Sequence, residues 1–144
     1  QFASLMCETK GTGIIVETVF ENRFLHTGEL NRMGANIRID GRSSVIEGGR
    51  HLTGAEVTAF DLRGGAALVL AGLSAKGETK ISGAHHIMRG YENLCEKLTS
   101  LAIAMANDAE NQKAFPVARF AYQVAYELTL EEGYLKKIEE MKNM

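Results

Sequence analysis

An almost wholly apolar stretch, Ala66–Leu73, constrains the fold of this chain more than any other segment. Apolar residues recur through it at helical spacing, so the sequence predicts a buried helix from about Leu62 to Ala75. The residues that define this spacing are Leu62, Ala66, Val69, Leu70 and Leu73. A helix with so few polar side chains must be covered by other elements, and the rest of the chain is therefore expected to fold around it.

Charged residues mark the start of this helix. Asp61 is predicted to be its N-cap, with a carboxylate that accepts from the backbone N–H groups of the first turn. Arg63 would then lie in that turn, where a cation opposes the helix dipole and an acid or an anionic ligand would relieve it. Arg89 precedes a second helix, predicted over Tyr91–Leu101, so that two arginines at two helix N-termini indicate an oxyanion site. On these residues alone, a simple cap and a surface charge stay open as the plainer interpretation.

Short segments rich in β-branched residues predict strands around the central helix. They are Ile14–Val19, Asn36–Asp40, Ser44–Glu47, Glu56–Ala59 and Thr79–Ser82, the second and third forming a hairpin. Short helices are predicted near Gln1–Glu8 and Thr27–Met33, and a loop at His85–Met88. Because strands and helices alternate, the predicted fold class is α/β (α+β), with helices packed on sheets.

Composition argues against several classes of function. A net charge of −2 without an Arg/Lys cluster argues against a nucleic-acid partner. The sequence has no apolar run long enough to cross a bilayer and no signal-peptide pattern at its start, so no membrane association is expected. Cys7 and Cys95 are isolated and lie in apolar helical contexts, which predicts buried or partly buried, reduced thiols and a cytoplasmic location. No cofactor is expected. No metal is expected because no His/Cys spacing suggests a zinc site, and His85 and His86 are interpreted as neighbours at a strand end that point to opposite faces.

The character of the chain changes after Ile103. Of the 15 glycines only Gly133 follows this point, and Pro116 is predicted to lie in a first helical turn. Residues 1–103 and 104–144 are therefore interpreted as a domain and a helical tail. The tail is expected to cover apolar surface in the same chain, to form a homo-oligomer or to bind a protein partner. Its apolar stripe comprises Val117, Phe120, Ala121, Val124, Ala125 and Leu128, continued by Leu130, Tyr134, Leu135, Ile138 and Met141.

Several motifs in one order resemble a known family. They are Glu17–Phe24, Arg32–Ala35, Asp61–Arg63, Ala67–Leu73 and Arg89–Glu92. Together they resemble the C-terminal part of the UDP-N-acetylglucosamine 1-carboxyvinyltransferases, the enolpyruvyl transferases of early peptidoglycan synthesis, over about residues 1–101. The resemblance implies a partial inside-out domain built from βαβαββ units, with the helices inside and the sheets outside.

The resemblance also implies a chemistry and residues that perform it. Members of this family transfer the enolpyruvyl group of phosphoenolpyruvate to the 3-hydroxyl of UDP-N-acetylglucosamine. By resemblance, Arg63 and Arg89 match arginines near the phosphoenolpyruvate-derived group, and Asp61 matches an acid near the reacting sugar. Val19 and Phe20 match positions that contact the nucleotide sugar. The plainer interpretation of Val19 and Phe20 is a strand end packed into the core.

The resemblance leaves three interpretations open. The motifs of the family's N-terminal domain are not found, and neither Cys7 nor Cys95 matches its reactive cysteine, so this chain is expected to be inactive alone. It is interpreted as a fragment, split partner or truncated product of the transferase. Alternatively, it is a non-enzymatic protein-binding module that keeps the scaffold and uses its helical tail, or an engineered or recombined chain.

Overall fold

The computed structural model describes residues 1–21, 23–129 and 131–143, with the exception of the side chains of Glu127 and Asn143. The chain divides into two compact units, Gln1–Tyr91 (unit 1) and Glu92–Met144 (unit 2). The helix that begins unit 2 runs across residue 103 without a break. The assignment of residues 1–103 to one domain and 104–144 to a tail stays a prediction.

Unit 1 mixes helices with two small sheets. Strands β1, β3 and β2 form an antiparallel sheet in that order, and β4 pairs with β5 in parallel. The elements in chain order are α1 Phe2–Glu8, β1 Thr12–Val16, α2 Leu25–Arg32, β2 Asn36–Asp40, β3 Ser43–Glu47, β4 Glu56–Thr58, α3 Leu62–Ser74, β5 Lys80–Ser82 and α4 His85–Met88.

The core of unit 1 lies between its antiparallel sheet and its helices. Ile37 of β2 and Ile46 of β3 are directly opposite each other and both are buried, as expected for neighbours on the inner face of a sheet. Helix α3 packs against α1 and α2, and the Ser4 hydroxyl donates to the Ala67 carbonyl at 2.7 Å. The buried core residues are Ala3, Cys7, Leu30, Met33, Ile37, Ile46, Leu52, Val57, Leu68 and Ala71.

The structure confirms the central helix but corrects its buried face. Leu70 is 41% exposed, although the predicted stripe includes it. Small residues let neighbouring elements approach closely: a Cβ atom on Gly65 would lie 2.5 Å from Cγ1 of Ile87. Besides Leu68, the buried positions of α3 are therefore occupied by glycines and alanines, which allow this close approach. The buried residues of α3 are Gly64, Gly65, Ala66, Ala67, Leu68 and Ala71.

Two further predictions in unit 1 are wrong. The strand predicted to reach Val19 ends at Val16, because the chain turns at Glu17. Residues 85–88, predicted as a loop, form the short helix α4, which carries the buried Ile87 onto α3. Because His85 and His86 are helical, their rings lie beside each other with centroids 4.0 Å apart, not on opposite faces of a strand.

Unit 2 is a helical bundle. It contains α5 Leu94–Asn111, α6 Phe115–Thr129, α7 Glu132–Glu140 and the 3₁₀ helix Met141–Asn143. Helix α5 begins later than predicted because Asn93 adopts a left-handed conformation with φ of 51°. Cys95, in the first turn of α5, is exposed and not buried as predicted. Pro116 lies in the first turn of α6, as predicted.

Helices α5 and α6 meet through alanines. Ala106 and Ala118 are fully buried, and this close contact also buries the ring of Tyr122. The larger Val117 and Phe120 of the predicted stripe are exposed, so that the predicted face of α6 is partly wrong. Leu130, a further member of the stripe, lies outside the described residues. Tyr122 donates to Glu110 at 2.9 Å, and Lys137 of α7 pairs with Glu110 at 3.1 Å.

None of the helices in the described ranges combines the length and the apolar character needed to cross a membrane.

Two leucines on α3 form a matched test of the corrected face. Leu68 is fully buried, so Leu68→Ala should lower the free energy of unfolding of unit 1 by about 2–5 kcal/mol. Leu70→Ala removes the same atoms from an exposed position and should cost less than about 1 kcal/mol. Urea titrations followed by NMR signals of unit 1 measure both. Equal losses in the two variants would contradict the assignment of the face.

Candidate functional site

Asp61 organises the first turn of α3. Its Oδ1 atom accepts from the backbone N–H groups of Arg63, at 2.9 Å, and Gly64, at 2.8 Å. The predicted N-cap is therefore confirmed, and the side chain has one fixed orientation. Among the described residues the Oδ2 atom has no hydrogen-bond partner. One oxygen of the carboxylate thus holds the helix and the other is free to accept a hydrogen bond from a ligand.

Asp61 and Arg63 line a cavity of about 200 Å³ at this helix start, the Asp61 cavity. Its wall contains the cations Arg23 and Arg63 and the acids Glu17 and Asp61. The positive end of α3 adds to the attraction for an anion. The lining residues are Gln1, Phe2, Ala3, Ile15, Glu17, Arg23, Phe24, His26, Asp61, Arg63 and Gly64.

Arg89 does not line this cavity, but its neighbours reach the same region. A Cβ atom on Gly90 would lie 2.7 Å from Cδ2 of Leu62, so a larger residue at this position would have to displace the side chain of Leu62, the first residue of α3. The side-chain amide of Gln1, a lining residue, donates to the hydroxyl of Tyr91 at 2.9 Å. Arg89 itself is exposed and follows α4, where it ends a short helix and does not begin α5. Its predicted place at a helix N-terminus is wrong.

Val19 and Phe20 lie in a turn that a single carboxylate holds. The Oε1 atom of Glu17 accepts from the N–H groups of Val19, at 2.8 Å, and Phe20, at 3.1 Å. The hydrogen bond from Val19 and, to a smaller extent, the one from Phe20 hold the pKa of the Glu17 carboxyl below its usual value. Val19 is 72% exposed and Phe20 is 53% exposed. The interpretation of these residues as a strand end packed into the core is therefore wrong.

Phe20 belongs to a second cavity of about 450 Å³, the Phe20 cavity. The guanidinium carbon of Arg23 lies 4.5 Å from the centre of the Phe20 ring, in cation–π contact. Arg42 donates to the Thr18 carbonyl at 3.3 Å. The lining residues are Glu17, Phe20, Glu21, Arg23, Phe24, Leu25, Ile39, Gly41 and Arg42. Glu17, Arg23 and Phe24 line both cavities, so the two cavities are adjacent.

His26 is the titratable group of the Asp61 cavity that is most affected by burial. Burial lowers its pKa, and the nearby Asp61 carboxylate acts in the opposite direction. A neutral imidazole can accept or donate a hydrogen bond without adding charge to the site. The two arginines of the cavity are suited to anion binding. Its imidazole and its two carboxylates are suited to proton transfer.

Glu17, Arg23 and His26 are site residues for which the sequence analysis assigned no role. Glu17 and Arg23 fall inside the Glu17–Phe24 motif, which was the only signal for them. His26 gave no periodic signal, because the fold alone brings it beside α3. Within residues 1–21, 23–129 and 131–143, no three His, Cys, Asp or Glu side chains are grouped so that they could hold a metal ion.

Comparison with known proteins identifies the family. Residues 1–98 match the family described as EPSP synthase (3-phosphoshikimate 1-carboxyvinyltransferase). The chain belongs to this family of enolpyruvyl transferases. The predicted resemblance to its UDP-N-acetylglucosamine branch is also confirmed. Over 101 residues the chain is 60% identical to UDP-N-acetylglucosamine 1-carboxyvinyltransferase 1 of Caldanaerobacter subterraneus subsp. tengcongensis and 59% identical to the protein of that name in Clostridium acetobutylicum.

These alignments cover 70% of the chain and 24% of each relative, so that the chain spans about a quarter of their length. A solved structure supports the same fold. The enolpyruvyl transferase NikO from Streptomyces tendae superposes with a TM-score of 0.64 at 35% identity, over 69% of this chain and 23% of NikO. The predicted mixed α/β fold, as part of an enolpyruvyl transferase, is confirmed.

The Glu17 turn of this enolpyruvyl transferase chain yields a pH prediction. The lowered pKa of Glu17 means that the turn is favoured above the ordinary pKa of a glutamate and is lost as the pH falls through the lowered value. The amide proton shifts of Val19 and Phe20 should therefore follow one shared acid titration. Glu17→Gln keeps an acceptor and should abolish that titration, whereas Glu17→Ala should move both amides toward solvent-exposed values.

Two-dimensional NMR across the acid range measures these shifts. Glu21→Gln is the matched control, because Glu21 is an exposed acid of the same loop that makes no bond to either amide. It should leave the titration unchanged. A titration of the Val19 and Phe20 amides that persists in Glu17→Gln would show that another group holds the turn.

Proposed function

We propose that this chain forms part of the nucleotide-sugar and phosphoenolpyruvate site of a UDP-N-acetylglucosamine enolpyruvyl transferase, an enzyme of cytoplasmic cell-wall precursor synthesis. One observation carries the proposal. Asp61, whose Oδ2 atom has no hydrogen-bond partner among the described residues, lines the same cavity as the arginines Arg63 and Arg23. Transfer of an enolpyruvyl group from phosphoenolpyruvate to a hydroxyl forms an enol ether and releases phosphate, and it is favoured by fixed cations near the anionic groups and a carboxylate near the reacting hydroxyl.

The cations suit the two anionic groups of phosphoenolpyruvate. A planar guanidinium binds a carboxylate or a phosphate through two parallel hydrogen bonds. Arg63 is proposed to bind one of these groups from the first turn of α3. Arg89 is proposed to bind the other, because Gly90 packs on Leu62 and so brings the segment after α4 to the start of α3.

Asp61, Val19 and Phe20 are proposed to contact the nucleotide sugar. The free Oδ2 atom of Asp61 can accept from a sugar hydroxyl near the reacting centre. The exposed side chains of Val19 and Phe20 offer apolar contact, since Glu17 already binds their N–H groups. Contact through these two N–H groups would require the Glu17 carboxylate to leave first.

A non-enzymatic protein-binding module is the alternative function. The observation that favours it is the exposure of Val117 and Phe120 in unit 2, because clustered exposed apolar side chains mark interaction surfaces. The two proposals differ in which unit a ligand would affect. A response of unit 1 to a nucleotide sugar supports the transferase site, and its absence favours the binding module.

A binding titration tests the transferase site. UDP-N-acetylglucosamine, followed by phosphoenolpyruvate, should shift amide signals of residues that line the Asp61 cavity. Arg63→Ala removes a charge-assisted contact worth about 1.5–3 kcal/mol and should weaken phosphoenolpyruvate binding by about 10–100-fold. Arg63→Lys should recover only part of the affinity, because it loses the paired geometry.

Arg50→Ala is the control, because Arg50 is exposed in the loop after β3 and lines neither cavity. It removes the same charge and should bind as the original chain does. The proposal fails if neither ligand shifts the cavity signals, or if Arg63→Ala and Arg50→Ala weaken binding equally.

A further inference from the structure

Unit 2 contains a groove with an apolar floor and a positive rim. It measures about 420 Å³ and lies between α6 and the end of α7. Ile138 is buried at its floor, whereas Phe120 is 56% exposed at its wall. Among the described residues, two cations and no carboxylate line it. The lining residues are Pro116, Arg119, Phe120, Gln123, Ile138 and Lys142.

The two rim cations have no acidic partner within the described part of the chain. Neither Arg119 nor Lys142 forms an ion pair with any residue in it, although Lys137 of the same bundle is paired with Glu110 at 3.1 Å. Arg119 also lies near the N-terminus of α6, whose first turn contains no acid. Among the described residues, the lining of the groove therefore has an excess of positive charge, which favours an acidic, partly apolar occupant.

The outer side of α7 has the complementary chemistry. Glu132, Leu135 and Glu139 are spaced by three and four residues, so they form one stripe along the helix. Leu135 is 38% exposed, both glutamates are exposed, and neither forms an ion pair with a described residue. Leu135 lies about one helical turn before Ile138 of the groove floor, and Glu139 directly follows Ile138. The stripe therefore runs beside the groove.

We propose that the groove of one copy of this chain receives the acidic stripe of α7 from a second copy. Leu135 would pack on Phe120, while Glu132 and Glu139 approach Arg119 and Lys142. The groove and the stripe are neighbours on one surface. In a dimer with two-fold symmetry, the groove of each copy can therefore bind the stripe of the other copy at the same time. Two such contacts give a closed dimer with a leucine at the centre of each and charges at the rim.

The internal packing of unit 2 fixes this surface before any second copy binds. The Tyr122 hydroxyl and the Lys137 ammonium both donate to Glu110, which joins α7 to the α5–α6 hairpin. The Tyr122 and Tyr134 rings stack with centroids 6.3 Å apart. Groove and stripe are therefore held in one relative position, which lowers the ordering cost of association.

A charge exchange on the full chain tests the proposal. One variant combines Arg119→Glu with Lys142→Glu, and the other combines Glu132→Lys with Glu139→Lys. Light scattering should give the original chain twice its 15.7 kDa mass, with the dimer weakening as salt rises. Each variant alone places like charges across both contacts, which should raise the dimer dissociation constant by about tenfold or more.

Mixing the two variants is the decisive measurement. In the mixed dimer each altered groove meets an altered stripe of opposite charge, and each original groove meets an original stripe. A mixture in equal amounts should therefore recover the dimer, which also shows that both variants are folded. The double variant Lys10→Glu with Lys97→Glu is the control for net charge and should dimerise as the original chain does.

Three outcomes would overturn the proposal. The original chain could be monomeric at every concentration tested, which would leave the groove to an acidic segment of another protein. The dimer could survive in both charge variants, which would place the interface elsewhere. The mixture could stay monomeric although circular dichroism shows both variants to be helical, which would exclude contact between groove and stripe.

Discussion

Two backbone N–H groups converge on one oxygen of Asp61, at 2.9 and 2.8 Å, and the candidate site depends on this cap. It fixes where α3 begins relative to β4, and so fixes the direction in which Arg63 leaves the first turn. It also leaves Oδ2 of Asp61, a residue that lines the cavity, without a hydrogen-bond partner among the described residues. A residue without a side-chain oxygen at this position would lose both the cap and the free acceptor, so that one side chain serves both the helix start and the site.

The sequence predicted those elements of unit 1 that have local signals. The cap, the helix that follows it, and the hairpin of β2 and β3 each depend on residues only a few positions apart. The buried face of α3 could not be predicted in this way. Periodicity weights large apolar residues such as Leu70, whereas the structure buries Gly64, Gly65 and Ala67 because other segments approach there. Close approach is a property of the partner segment, which periodicity does not report.

The site residues also divide into those with a local sequence signal and those that only the fold brings together. The predicted cap and its first turn indicate Asp61 and Arg63, and the predicted second helix indicates Arg89. The family motif adds Val19 and Phe20. The role of Glu17 could not be predicted, because its hydrogen bonds to two backbone amides of the following turn produce no repeating pattern in the sequence. Arg23 and His26 were missed because only tertiary structure brings them to α3.

In both units some helix contacts are formed by small residues, while several larger apolar residues of the same helices are exposed. Gly65 against Ile87 in unit 1 and Ala106 with Ala118 in unit 2 follow the same rule. Close backbone approach gains dispersion contacts and excludes water without large side chains in the contact. Side chains such as Leu70 and Phe120 are then free of the core, and their identity is not constrained by its packing. In this fold the surface residues are therefore where binding properties can differ while the helices keep their positions.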